Sequence, residues 1–395
     1  MTLKENIARL AKDHKEHYIG IRRHLHANPE LSYQEHETVA FVEHHLHNIG
    51  LKGTRKGDTG LVATIYGKDP ESRVIALRAD MDALPIQEAN DIPYKSTKPG
   101  IMHACGHDAH TTILMGAAQI LQETKDTWSG TVKLIFQPGE ERNPGGATYM
   151  IRDGALEDPA PEGIVALHVH PGLPAGKLSF RKGTVMASAD EIYITIKGKG
   201  GHAAAPQLTT DTILVASHLV VSLQQIISRN NHPLNPSVLS ITSFQGGYTT
   251  NVIPSEVKLM GTLRCLDEHW RKEAHDLIKQ QVKHFALAMG AEADLHIDIG
   301  YPTVLNDPDL TGNAWQLAEM YLGKENVEET EMRMGAEDFG YYAQKIPGCF
   351  YRLGVMNEAR GITSGVHTPT FDIDEDAIET GMATMAWLGA NLSLK

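Results

Sequence analysis

Cysteine is scarce in this chain: Cys105, Cys265 and Cys349 are the only three in 395 residues, odd in number and far apart. That excludes a disulfide framework. A reducing cytoplasm is the simplest setting for such thiols, and there a thiolate stays available as a ligand. Positive charge is also in deficit, with 36 Lys and Arg against 49 Asp and Glu and a net charge of −13. No local basic block offsets it, so a nucleic-acid partner is not expected. Apolar runs are short; none approaches the roughly 18 uninterrupted residues of a membrane span. The N-terminal stretch MTLKENIARLAKDHKEH is polar and helical in spacing, without the apolar centre of a secretion signal. Familiar catalytic signatures are missing too: there is no G-x-S-x-G elbow and no H-E-x-x-H helix. The Gly-rich stretch at 198–206 has Ala203 where a dinucleotide loop needs its third Gly, and Pro206 interrupts before the helix. The remainder, 41% hydrophobic and 22% charged, is the composition of an ordinary globular protein long enough for two or three domains.

Hydrophobic spacing predicts helices over 3–27 and 34–49, then apolar strands at 61–67 and 73–80, the second ending in Asp80 and Asp82. A helix is expected at 111–125. A strand at 131–141 is expected to run straight into Glu140 and Glu141, and one at 163–171 to end in His168 and His170. Continuous apolar centres suit strands covered on both faces. Three strands thus carry metal-competent residues at their C-terminal ends, the edge where open α/β sheets bind ligands. From 186 the pattern changes to strand, helix, strand, strand, helix, strand, complete by about residue 300; this is the split βαβ or ferredoxin-like order. The fold class expected is therefore α/β: an open mixed-sheet catalytic domain formed by 1–185 and 301–395, interrupted by a ferredoxin-like (βαββαβ) domain over 186–300.

The densest chemistry lies in MHACGHDAH, 102–110, where His103, Cys105, His107, Asp108, His110 and, weakly, Met102 can hold a metal or move a proton. Gly106 is a pivot among them. A thiolate beside an imidazole and a carboxylate suits Zn²⁺ or a similar divalent ion. Glu140 and Glu141 are adjacent carboxylates at the end of a buried strand, where mutual repulsion calls for a cation or a proton. The division expected is that one binds metal and the other takes a proton from water. Alternation is read as sending His168 and His170 to opposite faces, so that one at most reaches the site. Either Asp80 or Asp82 is expected to orient a ligand His as a supporting carboxylate. His202, Asn251, Arg264 and His367 stand at loop or strand ends and are unremarkable singly.

Taken together, RRHLHANPELSYQE, LRADMDALP, MHACGHDAHT, FQPGEE, HVHP, GKGGHAAAP, TNVIP, GTLR, GAEDF and GVHTPTFD occur in that order from residue 22 to 372. The chain resembles the aminoacylase, hippurate hydrolase and indole-acetyl-amino-acid hydrolase branch of the metallopeptidase family 20 superfamily. That resemblance implies a site for two divalent ions (Zn²⁺, or Mn²⁺, Co²⁺ or Ni²⁺) held by Cys105, His107, Glu141, His168 and His367, with Glu140 as general base. It implies that the inserted domain is a lid that also forms a homodimer or higher oligomer. Within that domain His202 approaches the scissile carbonyl, often from a partner subunit, and Asn251 and Arg264 lie near the substrate carboxylate. The implied reaction is metal-assisted hydrolysis of N-acyl-L-amino acids. A metallo-carboxypeptidase or dipeptidase is the alternative, and a non-catalytic binding module or a structural zinc protein fits less well. Gly139 departs from the family, which commonly carries Ala there.

Overall fold

The continuous apolar runs become neighbouring strands. In the computed structural model, which describes residues 1–394, an eight-stranded mixed sheet runs in the order Thr54–Lys56, Gly60–Tyr66, Thr131–Gln137, Val74–Asp80, Gly163–Pro174, Gly348–Met356, Leu178–Phe180, Val327–Glu329. Val74–Asp80 is central and pairs in parallel with Thr131–Gln137 on one side and Gly163–Pro174 on the other. Gly348–Met356 continues the parallel set. Parallel pairing brings strand ends to one edge, with Asp80 beside Gln137 and His168 beside Arg352. Helices Leu3–Ala27, His107–Glu123 and Asp376–Asn391 pack on one another, and the latter two also contact Val74–Asp80. Ile113, Leu114, Ala117, Met382, Met385 and Ala386 of these helices join Ile75, Leu77 and Val165 in one core. Thr2 caps the first helix: its side chain accepts from Glu5 N, and Glu5 returns a bond to the Thr2 amide.

Two local breaks place the chemistry. The strand expected over 131–141 stops at Gln137, because Pro138 has no N–H to continue a ladder and Gly139 adopts φ +60°. A turn therefore carries Glu140 and Glu141. The helix expected at 111 starts at His107, immediately after Gly106 at φ +84°. A Cβ at Gly106 would also lie 2.5 Å from Val169 Cγ2, so the pivot is fixed by both conformation and space.

All of this belongs to a first compact unit, Met1–Gly183, Leu305–Glu331 and Asp338 onward. The second unit is Thr184–Val304 with Met332–Glu337, wider than the 186–300 read from sequence. Met332–Glu337 joins it through main-chain bonds such as Ala187 N to Arg333 O, 3.1 Å. Its sheet runs Ser237–Gln245, Glu256–Cys265, Asp190–Lys197, Glu292–Ile299, with each neighbouring pair antiparallel. Alternating Ile192, Ile194 and Ile196 point into a core with Val215, Leu219, Leu223, Ile278 and Val282 of helices Thr212–Gln225 and Glu268–Ala288. Asp211 and Asp267 cap these helices through side-chain bonds from Leu214 N and Trp270 N. The first helix of this pair passes at its end into a π turn, Ile226–Asn230. Among the described residues no helix is long and apolar enough to cross a membrane.

Candidate metal centre

Five donors from four segments meet at the C-terminal edge of the large sheet. Cys105 Sγ lies 3.4 Å from His168 Nε2 and 3.3 Å from His367 Nε2. Glu141 Oε1 lies 3.3 Å from His367 Nε2 and 3.9 Å from His107 Nε2. Within each of the sets Cys105–His107–His168, Cys105–Glu141–His367 and His107–Glu140–Glu141, the possible ligand atoms stand no more than 4.8 Å apart. The sequence bound these positions only loosely, yet the fold converges them.

Do the residues present fit a divalent ion? His107 Nε2 and Glu141 Oε1 are buried without a hydrogen-bond partner, an arrangement that is costly unless something else satisfies both. Charge says the same. Burial disfavours the cationic form of His107, but Asp80 and Cys105 hold it well above its ordinary value. Contacts with Cys105 and Glu141 raise His367 to about 10, while burial pushes Cys105 up and His168 down. The anionic surroundings of His107 and His367 thus favour positive charge at this point, and the mixed S, N and O donors suit Zn²⁺. The set fits.

The supporting carboxylates are both buried and both used. Asp82 Oδ1 accepts from His107 Nδ1 at 3.2 Å and from the Glu140 amide at 3.0 Å; Oδ2 accepts from Ser32 Oγ at 2.6 Å and the Glu141 amide at 3.0 Å. One carboxylate therefore aims a ligand imidazole and holds the turn of the Glu pair. Asp80 Oδ1 meets His110 Nδ1 at 2.6 Å. Because His110 Nε2 accepts from Val169 N at 2.9 Å, its proton sits on Nδ1 and points at Asp80. Arg78 completes this layer, donating to Asp80 at 2.6 Å and to Asp338 at 2.8 Å. His168 Nδ1 donates to Val169 O at 2.7 Å, which leaves Nε2 facing Cys105. His367 sits at φ +61°, an uncommon conformation for a side-chain-bearing residue at a site, and its amide is anchored to Ala104 O at 2.7 Å.

Beneath Asp108 lies a layer that sequence spacing did not reveal. Arg22 Nε and His26 Nδ1 each stand 2.8 Å from Asp108 Oδ2, all three fully buried. Burial opposes the Asp108 charge, but Arg22 and His26 hold it far below the usual carboxylate range. Asp108 is thus tied to the first helix rather than serving as a ligand. His110, a ligand candidate in the sequence, orients against Asp80 instead.

His168 and His170 do not face opposite ways as expected, since residues two apart on a strand share a face. One imidazole still reaches the donors, for a different reason: His170 lies about 7 Å further along the strand, half-buried, where its Nδ1 accepts from Gly172 N at 3.2 Å. His202, Asn251 and Arg264 belong to the second unit. His202 is exposed on the short strand Gly201–His202, opposite Val252, and Ala203 N donates to Asn251 O at 3.0 Å, so these two neighbour one another. Arg264 is half-buried on Glu256–Cys265, and burial lowers its pKa. Ser32, Tyr33 and Glu35 close the stretch RRHLHANPELSYQE, but their part in the site is visible only in their contacts.

The model of the Peptidase family M20/M25/M40 matches residues 76–389. Thermostable carboxypeptidase 2 of Saccharolobus solfataricus is 37% identical over 400 residues, covering 100% of both chains. The N-acetyl-L-cysteine deacetylase of Bacillus subtilis is 40% identical over 384 residues, 96% of this chain and 89% of that protein. Among solved structures, the Bacillus subtilis YXEP protein, described as a dinuclear metal-binding peptidase of family M20, superposes with a TM-score of 0.83 at 34% identity, covering 96% of this chain and 99% of that one. With this match over most of its length, the chain is a hydrolase belonging to peptidase family M20/M25/M40.

Proposed function

We propose that this hydrolase cleaves the amide bond of N-acyl-L-amino acids, releasing a carboxylic acid and a free amino acid. The observation that carries the reading is the Glu140–Glu141 turn, which sets one carboxylate among the donors and a second directly beside it. Support for the substrate class comes from the relative named as an N-acetyl-L-cysteine deacetylase.

Cys105, His107, Glu141, His168 and His367 would hold two divalent ions, with Zn²⁺ the best match to a set containing a thiolate. Such ions, when bound, acidify water and polarise an amide carbonyl. Glu140 takes the proton of the attacking water as its oxygen bonds to the carbonyl carbon, then returns it to the amide nitrogen as the C–N bond breaks. Asp82 keeps the proton of His107 on Nδ1, so Nε2 remains a donor to metal. His202, Asn251 and Arg264 take the roles the resemblance implies: His202 toward the carbonyl oxygen, the other two toward the substrate carboxylate. A guanidinium suits that last task.

Metal-stripped protein, reloaded with Zn²⁺, Mn²⁺, Co²⁺ or Ni²⁺ in turn, is assayed on N-acetyl, N-benzoyl and longer N-acyl amino acids and on dipeptides. Ion-dependent release of amino acid from one acyl class supports the proposal; cleavage of dipeptides alone supports the second reading, a carboxypeptidase, which the full-length similarity to such an enzyme favours. Glu140→Gln is expected to retain metal and lose about 10²–10⁴-fold in turnover. Loss of metal instead would exchange the roles of the two Glu.

The same proposal extends to assembly and place. Exposed Leu214, Val221, Val238 and Phe244 on the second unit suit a homodimer contact, and mixing Glu140→Gln with His202→Ala protomers tests whether His202 acts across it. A buried, reduced Cys105 suits the cytoplasm.

A further inference from the structure

The turn that carries Glu140 is gripped from outside the metal centre. Glu35, completely buried, accepts the Gly139 amide at 2.8 Å and the Tyr33 amide at 3.0 Å on Oε1, and the Thr59 hydroxyl at 2.6 Å on Oε2. Tyr33 reaches past the other end: its hydroxyl donates to Arg142 O at 2.5 Å and accepts from Gly145 N at 3.1 Å. Its ring lies over Gly139 so closely that a Cβ there would stand 2.2 Å from Tyr33 Cε1, and it meets Tyr149 edge-on at 5.5 Å. Tyr33 itself is held at φ +66°. An aromatic residue in that region is a true outlier, kept only where its surroundings over-determine it.

We propose that Tyr33 and Glu35 are positioning residues for Glu140, clamping residues 139–145 at both ends so that the base is fixed relative to the donors. This rests on the assignment of Glu140 as the base. Glu35 is not among the candidate donors, and both residues act through the main chain on either side of the Glu pair. An ion would hold Glu141 directly, so a loosened turn should show first in Glu140.

The geometry also separates position from charge. Both amides that Glu35 accepts fall on one oxygen, and the other oxygen meets a hydroxyl. A Gln can therefore reproduce all three contacts, with its carbonyl toward Gly139 and Tyr33 and its amino group donating to Thr59 Oγ.

The test compares Glu35→Ala, Glu35→Gln and Tyr33→Phe as metal-loaded enzymes, measuring kcat, KM and metal per subunit. Expected for Glu35→Ala is a kcat loss of about 10²-fold, the cost of a displacement of order 1 Å at a reacting group, with KM and metal content held. Glu35→Gln should return to within about threefold of wild type, and Tyr33→Phe should lose about tenfold in kcat, a ring kept and two bonds lost. In a Glu140→Gln background, Glu35→Ala should remove nothing further, because the path through Glu140 is already closed. Glu35→Gln as impaired as Glu35→Ala, or full kcat in both Glu35→Ala and Tyr33→Phe, would overturn the clamp. A loss seen in metal content rather than kcat would overturn it as well. If Glu35→Ala does not fold, Tyr33→Phe decides alone, and unchanged kcat there counts against it. An active Glu140→Gln enzyme would instead sink the base assignment, an outcome readable without any of the clamp variants.

Discussion

Replacing Asp82 by Asn tests whether one buried carboxylate governs the whole centre. Wild-type Asp82 accepts four bonds, two per oxygen, from His107 Nδ1, the amides of Glu140 and Glu141, and Ser32 Oγ. Asparagine keeps the shape but has one acceptor oxygen. With its amino group on the Ser32 side, Ser32 can turn and accept, but the Glu141 amide faces a second donor. With the group flipped, the Glu140 amide loses its partner and His107 must move its proton to Nε2, the atom that would bind metal. Either way one buried N–H of the Glu pair is orphaned, at about 1–3 kcal/mol. That range overlaps the 10- to 100-fold typical of losing a partner that orients a metal ligand. We expect Zn²⁺ affinity, measured by competition with a chromophoric chelator, to fall by about that factor in Asp82→Asn. Affinity within twofold of wild type, in protein with an unchanged far-ultraviolet spectrum, would refute the assignment of Asp82 as the organiser.

Arg22→Ala should destabilise the metal-free protein by about 3 kcal/mol in urea unfolding, since it leaves the buried Asp108 charge to His26 alone; an unchanged midpoint would remove the layer beneath the site from the account. Gly106→Ala should weaken metal binding by more than about tenfold, because φ +84° and Val169 both exclude a Cβ, and Val169→Ala in the same chain should restore part of it. Stability should also carry a Glu35 signature. Burial and the nearby Asp82 push Glu35 up to about 7 from an ordinary 4.5, so the folded protein holds this proton more tightly than the unfolded chain. Glu35's contribution is then largest below 4.5 and is lost as pH rises to about 7, by up to about 3 kcal/mol relative to Glu35→Gln. Urea unfolding of the two metal-free proteins across pH 5–8 checks both size and sign; a difference that stays flat, or grows in the other direction, contradicts it.

Much of the candidate site is legible in the sequence because residues able to bind metal leave dense marks. Cys105 and His107 stand two apart around a Gly, Glu140 and Glu141 repel each other at a strand end, and Asp80 and Asp82 close another strand. His367 is different: a lone loop imidazole, recognisable only through the resemblance, since nothing local says that its loop folds back onto Ala104. Fold class was legible for a similar reason, as continuous apolar runs and the change to half-buried alternation after 186 both follow from burial. Boundaries set by turns were not. The strand before Glu140 reads as continuous through Pro138 because an apolar run meets the acidic pair, whereas Pro138 and Gly139 end it. Tyr33 and Glu35 lie in one of the stretches that carry the resemblance, but their role is not legible there, because a positive φ at Tyr and a buried acceptor at Glu are produced by tertiary contact and have no period or spacing.

The donors are spread over Cys105, His107, Glu141, His168 and His367, and the strand Gly348–Met356 lies beside Gly163–Pro174. A growing polypeptide that has reached residue 300 carries four of the five but neither that strand nor the last imidazole. Completing the donor set therefore needs Gly348–Met356 to pair beside Gly163–Pro174, a join of long sequence separation that is slow to form. On the proposed assignment, binding of ions would then depend on that long-range pairing, and a chain lacking Gly348–Met356 and His367 would keep only part of the donor set.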